Sequence, residues 1–169
     1  IVAPANRHDL PAGQEGELIV RGPSVMPGYH NKPEETANAL QDGWYCTGDL
    51  VTVHGDGLVY FRGRSSDMIK TAGANVSPRE VEAAILDVSG LVAHVVGVDD
   101  AARGQVVAVL VRAPSDRDVD VDDLRTGLRA RLSAYKVPRR IVVAPDDAVP
   151  MMSSGKLDLR ALKEMLGDA

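Results

Sequence analysis

Five short stretches of this 169-residue sequence carry side chains that could do chemistry. Asp49 follows a glycine in Gly43-Trp44-Tyr45-Cys46-Thr47-Gly48-Asp49. A carboxylate so placed either accepts two hydrogen bonds from a vicinal diol, as nucleotide sites do on ribose, or caps a turn. Arg64 is a planar donor next to a small, polar segment, suited to a ligand or to a surface ion pair. Gly73, in Lys70-Thr71-Ala72-Gly73-Ala74-Asn75, either lets a ligand pass close to the backbone or serves an ordinary turn. Tyr135-Lys136-Val137-Pro138-Arg139-Arg140 sets three cations beside one aromatic ring, which suits a phosphorylated ligand or a solvated surface. Ser153-Ser154-Gly155-Lys156 presents a lysine on small residues, but without the upstream glycine of a phosphate-binding loop. His8, His30, His54 and His94 are scattered, so no metal site is expected.

These side chains need elements to position them, and the pattern changes near residue 64. Up to Gly63 there are 4 basic and 8 acidic residues; from Arg64 onward there are 15 and 16. The first part reads as short strands: Glu17–Arg21, ended by Gly22-Pro23, and Val51–Val53 with Leu58–Arg62 around His54-Gly55-Asp56-Gly57, whose Asp-Gly is a hairpin signal. Pro33-Glu34-Glu35 opens one short helix, with Pro suited to the first position and the carboxylates to the positive end. A small antiparallel barrel or sheet is expected there.

The second part alternates helices and strands. Ser77-Pro78-Arg79-Glu80 has the form of a capping box, and Val81, Ala84, Ile85 and Val88 then recur at helical spacing. Val92–Val98 and Val106–Val111 are Val-rich strands, the second apolar enough to be buried on both faces. Asp120 or Asp122 caps a helix bearing Leu124, Leu128 and Leu132; Arg140–Val143 is a further strand, and Leu159, Leu162 and Leu166 mark a last helix. The expected class is α+β: a small antiparallel β subdomain followed by a compact α+β domain, with Gly63-Arg64-Ser65-Ser66 as a hinge.

Composition excludes several functions. Nineteen basic against 24 acidic residues leave no cationic surplus to neutralise nucleic-acid phosphates. The longest apolar run, Val106–Val111, is far short of the roughly 20 residues a membrane helix needs. One cysteine, Cys46, excludes a disulfide framework and a Cys-based zinc site and fits a reducing, cytoplasmic setting.

Singly weak, the stretches are specific in their order. Gly16-Glu17-Leu18-Ile19-Val20-Arg21-Gly22 and Gly28-Tyr29 precede Trp44–Asp49. The block from Gly63-Arg64-Ser65-Ser66-Asp67-Met68-Ile69-Lys70 to Glu80-Val81-Glu82 follows, and Ser154-Gly155-Lys156-Leu157-Asp158 comes last. From about Gly13 to Leu166 this resembles the C-terminal third of the adenylate-forming superfamily: acyl-CoA synthetases, peptide-synthetase adenylation domains and luciferases.

The resemblance implies an acyl- or fatty-acid-CoA ligase, which activates a carboxylic acid with ATP and Mg2+ to an acyl-adenylate and passes it to CoA. It implies that Asp49 and Arg64 bind the ribose and that Lys156 reaches the carboxylate and phosphate oxygens. It places Gly73, with Tyr135, Lys136 and Arg139, along the CoA and pantetheine path. Ser66 falls at the hinge, where the family commonly has Asp or Lys. Residues 1–63 then form the last β subdomain of a large N-terminal domain, 64–66 the hinge, and 67–169 a mobile C-terminal domain that brings Lys156 and Gly73 to the active site in turn. Neither a Ser/Thr/Gly-rich phosphate loop ending in Lys nor an aromatic-Gly-x-Thr-Glu segment is present. The implied partner is therefore the missing N-terminal domain, and the fragment alone is expected to be inactive. A ligase that loads a carrier protein and a non-catalytic α+β binding module are the alternatives.

Overall fold

The computed structural model describes residues 1–2 and 7–167. The chain divides into two compact units, Ile1–Ser66 and Asp67–Ala169.

The first unit is built on one long strand. β1 (Glu15–Val20) is followed by α1 (Pro33–Ala39), β2 (Leu40–Gln41), β3 (Trp44–Val53) and β4 (Val59–Arg64). β3 pairs with β1 along one edge, while β2 and β4 share the other edge in tandem, all antiparallel. The hairpin between β3 and β4 forms as its Asp-Gly pair suggests: Leu58 N donates to Asp56 Oδ1 at 3.0 Å, and Gly57 takes a φ of +83°. Val2, Leu50 and Val51 are buried, and Thr52 joins them by accepting a hydrogen bond from Arg62 Nε at 3.0 Å.

The second unit contains β5 (Ile69–Thr71), β6 (Ala74–Val76), α2 (Pro78–Ser89), β7 (Ala93–Asp100), β8 (Gly104–Arg112), α3 (Val121–Arg129), β9 (Arg140–Ala144) and α4 (Leu159–Gly167). Its sheet runs β6-β5-β8-β7, with β9 beside β8. β9 is parallel to β8, because the chain returns through α3 instead of a tight turn. Side chains alternate across the sheet. Val95, Val107, Val109 and Val111 pack with Val81, Ile85, Leu124 and Leu128 of α2 and α3. Val96, Val98, Val106, Ala108 and Leu110 pack with Leu162 and Leu166 of α4. The unbroken apolar run Val106–Val111 is thus a central strand covered on both faces.

One local expectation is corrected. The capping box at Ser77 is not made: Ser77 holds the N-cap position and Pro78 opens the helix, but no side-chain cap bond forms. The Glu80 carboxylate is drawn instead to Lys136 Nζ, at 2.6 and 2.8 Å. The last helix, α4, begins at Leu159 as its leucines suggest, with Leu162 and Leu166 buried and Leu159 46% exposed at its first position. Gly63 and Arg64 belong to β4, leaving Ser65–Asp67 as a single turn of 3-10 helix between the units.

Candidate functional site

Asp49 is presented by two irregularities in the pairing of β3. Toward β1, Glu17 faces Leu50 and Ile19 faces Cys46, so Leu18 alone spans the three residues Thr47, Gly48 and Asp49. Gly48 takes a φ of +71°, which a side chain would strain. Toward β4, the register slips by one residue at Arg62, and this slip sets Arg64 opposite Asp49. Opposed residues of an antiparallel pair project on the same side. Bulges of this kind re-aim side chains, and here one does so on each edge of the strand.

The result is a carboxylate with a defined partner. Arg64 Nε donates to Asp49 Oδ1 at 2.9 Å, and Arg64 Nη2 donates to the Thr47 carbonyl at 3.1 Å. The Asp49 side chain is 30% exposed, and its Oδ2 accepts no hydrogen bond among the described residues. One oxygen is fixed, and the other retains its acceptor capacity toward solvent. Nearby, a hydrogen bond with Tyr29 pushes the Tyr45 phenol above its ordinary range; the Tyr29 charge and burial act in the same sense, while Arg64 opposes them.

The other sequence-derived residues lie in the second unit, apart from Ser66 in the turn after β4. Lys156 sits on a hairpin-like turn ahead of α4, where Met151 pairs with Leu157, Met152 N donates to the Lys156 carbonyl at 2.7 Å, and Gly155 turns at a φ of +76°. Asp158 anchors the turn to the helix by accepting hydrogen bonds from Arg160 N and Ala161 N at 3.1 and 3.0 Å. The Lys156 side chain is exposed, and its ammonium has no partner among the described residues. Gly73 follows Ala72 in the turn between β5 and β6, both at positive φ (+80° and +49°), and a Cβ built on Gly73 meets nothing within 4 Å. Tyr135 is exposed, and Lys136 is tied to Glu80 while lying 5.9 Å over the Tyr135 ring. Arg139 lines an open cleft of about 380 Å³ with Arg125, Arg129, Ala134, Val137 and Pro138.

The structure therefore brings Asp49 and Arg64 together and gives Lys136 a partner that sequence reasoning missed. Glu17, Thr47, Glu80, Arg125 and Arg129 are the additions. Glu80 and Lys136 are 56 positions apart, so no local spacing could pair them. Among the described residues no group of three or more His, Cys, Asp or Glu is placed to hold a metal ion, and no helix is long and apolar enough to cross a membrane.

Comparison with known proteins places the chain in a family. Residues 80–156 match the AMP-binding enzyme C-terminal domain. A feruloyl-CoA synthase from Amycolatopsis sp is 43% identical over 150 residues, which are 88% of this chain and 30% of that protein. A long-chain-fatty-acid–CoA ligase from Bacillus subtilis (strain 168) is 40% identical over 152 residues, 89% of this chain and 27% of the relative. The ATP-bound MatB structure from Rhodopseudomonas palustris superposes with a TM-score of 0.89 at 32% identity, covering 99% of this chain and 33% of that one. The chain thus spans about three tenths of the curated relatives it matches. With its α+β fold, it belongs to the adenylate-forming superfamily of the acyl-CoA synthetases and corresponds to their C-terminal region.

Proposed function

We propose that this region serves an AMP-forming acyl-CoA ligase: its first unit holds the nucleotide by the ribose, and its second delivers Lys156 for adenylation. The observation that carries the reading is the Asp49–Arg64 pair, with one carboxylate oxygen held at 2.9 Å and the other open. A carboxylate so aimed can accept a hydrogen bond from each hydroxyl of a vicinal diol, while Arg64 keeps it oriented.

Lys156 supplies the complementary chemistry. When a carboxylate attacks the α-phosphorus of ATP, two anions approach and charge accumulates on the phosphoryl oxygens. An ammonium delivered into a water-poor site offsets that charge, and Lys156, with no partner among the described residues, has no ion pair there to break first. Magnesium would be bound with the ATP phosphates. Ser66 is the pivot in this reading, Gly73 borders the pantetheine path, and Tyr135 and Arg139 meet the CoA nucleotide. Lys136 contributes through Tyr135 and Glu80, because its own charge is already engaged. The setting is cytoplasmic, in keeping with the free thiol of Cys46.

Pyrophosphate exchange followed by an acyl-CoA assay tests the proposal. A full-length protein carrying this region should exchange pyrophosphate into ATP in the presence of a carboxylic acid and form acyl-CoA. Exchange without acyl-CoA would assign the acyl group to a carrier-protein thiol, and no exchange with any acid would leave a binding module. The 169-residue chain by itself is expected to give no acyl-adenylate above the buffer background. Turnover by it that Asp49→Ala abolishes would show that no further domain is needed.

A further inference from the structure

The carboxylate of Asp49 rests on a backbone excess that the ladder does not hold. Leu18 spans three residues of β3, so the Thr47-Gly48-Asp49 segment loses regular strand partners just where the functional side chain departs. Buried or half-buried amides left this way need other acceptors. Two side chains supply them. Glu17 Oε1 accepts from Gly48 N at 3.1 Å. Thr47 Oγ1 accepts from Asp49 N at 3.0 Å and donates to the Leu18 carbonyl at 2.7 Å.

Glu17 is suited to hold this segment because its own backbone is pinned on both sides. It pairs with Val2 through two bonds, of 3.0 and 2.8 Å, and faces Leu50 across the β3 ladder. Gly48 has no side chain and sits at a φ of +71°, a conformation that nothing else in the residue enforces. The Glu17 acceptor on its N–H therefore acts, with the Thr47 and Arg64 bonds, to hold one bulge conformation.

We propose that Glu17 is a positioning residue for the nucleotide: its carboxylate holds the Gly48 amide, and through it the aim of Asp49 at the ribose hydroxyls. The inference rests on the ribose-binding reading of Asp49. Because the ribose lies away from the reacting phosphorus, its grip counts equally in ground and transition states, and losing aim raises KM while leaving kcat in place.

The test uses three variants of the full-length protein, Glu17→Ala, Glu17→Gln and Asp49→Ala, with ATP KM and kcat measured by pyrophosphate exchange. The same Glu17 variants of the 169-residue chain are followed by amide hydrogen exchange. Glu17→Ala is expected to raise the KM for ATP about three- to tenfold with kcat little changed, and to speed exchange at Gly48. Glu17→Gln keeps a carbonyl acceptor at the same reach and should restore both readouts toward wild type. If Asp49→Ala raises KM while Glu17→Ala leaves it unchanged, Glu17 does not position the site. If Glu17→Ala lowers kcat and the melting temperature together and Glu17→Gln fails to rescue, its role is structural only. If Asp49→Ala itself leaves KM unchanged, the ribose reading fails, and the positioning role falls with it.

Discussion

Asp49 and Lys156 are held in opposite ways. Asp49 is surrounded by side chains: Arg64 on its carboxylate, Thr47 on its amide and Glu17 on the amide before it. Lys156 is held chiefly by backbone, through the Met152–Lys156 and Asp158–Pro150 bonds, with only the Asp158 carboxylate tying its turn to α4, and its ammonium extends free of partners among the described residues. The difference suits two tasks. A group that recognises a fixed diol gains from being aimed before the ligand arrives. A cation that must meet charge arising only during reaction gains from having no local anion to leave. The first site should therefore show its losses in binding, and the second in rate.

The largest effect should come from Lys156→Ala. Removing a donor aimed at transition-state charge typically costs about 10²–10³ in rate. In a full-length protein, pyrophosphate exchange should fall by that order, while thioester formation from supplied acyl-adenylate is largely spared. Equal loss in both half-reactions would make Lys156 structural and would erase the contrast with Asp49.

Asp49→Ala should act on the other side of the comparison. It deletes hydrogen bonds to a charged acceptor, worth about 1.5–3 kcal/mol, or roughly ten- to a hundredfold in affinity. Isothermal titration with ATP should register that loss, with kcat at saturating ATP much less affected. Arg64→Lys should fall in the same direction by less, because an ammonium cannot span Asp49 Oδ1 and the Thr47 carbonyl as the guanidinium does. A kcat loss as large as that of Lys156→Ala would show that Asp49 also takes part in the reaction.

Sequence reasoning reached these two sites unequally. Val106–Val111 announced a doubly covered strand because six apolar residues in a row leave no solvent face. The Lys156 turn was legible because its determinants are local: small residues, Gly155 at positive φ and Asp158 one residue ahead of a helix start are all neighbours in the chain. The support of Asp49 was not legible from local pattern: Arg64 was joined to it only by the family resemblance, and Glu17 was missed. Glu17 and Arg64 lie 32 and 15 positions away, and both reach the site only because each edge of β3 carries a bulge, which alternation of apolar residues cannot locate. The same limit hid β5 and β6: strands of three residues are too short to show a period, so Lys70–Asn75 read as a loop around Gly73. Ser77 misled in the other direction, since a capping-box spelling does not reveal that Lys136 competes for Glu80.

The smallest effect sharpens the comparison most. Asp158 and Asp120 are matched N-caps, each accepting two backbone amides at the start of a nine-residue helix in the same unit. Losing such a cap to Ala costs typically about 1 kcal/mol. Asp158→Ala and Asp120→Ala should therefore lower the melting temperature alike, by about 4–8 °C if this unit melts alone. Only Asp158 also belongs to the turn that carries Lys156, so that its carboxylate, on the Arg160 and Ala161 amides, fixes that turn against α4. Asp158→Ala should thus slow adenylation by about three- to tenfold at a temperature where both variants are folded, and Asp120→Ala should not. Equal rates for the two variants would mean that backbone bonds within the turn suffice to place Lys156. The side-chain support that Asp49 requires would then have no counterpart at the lysine.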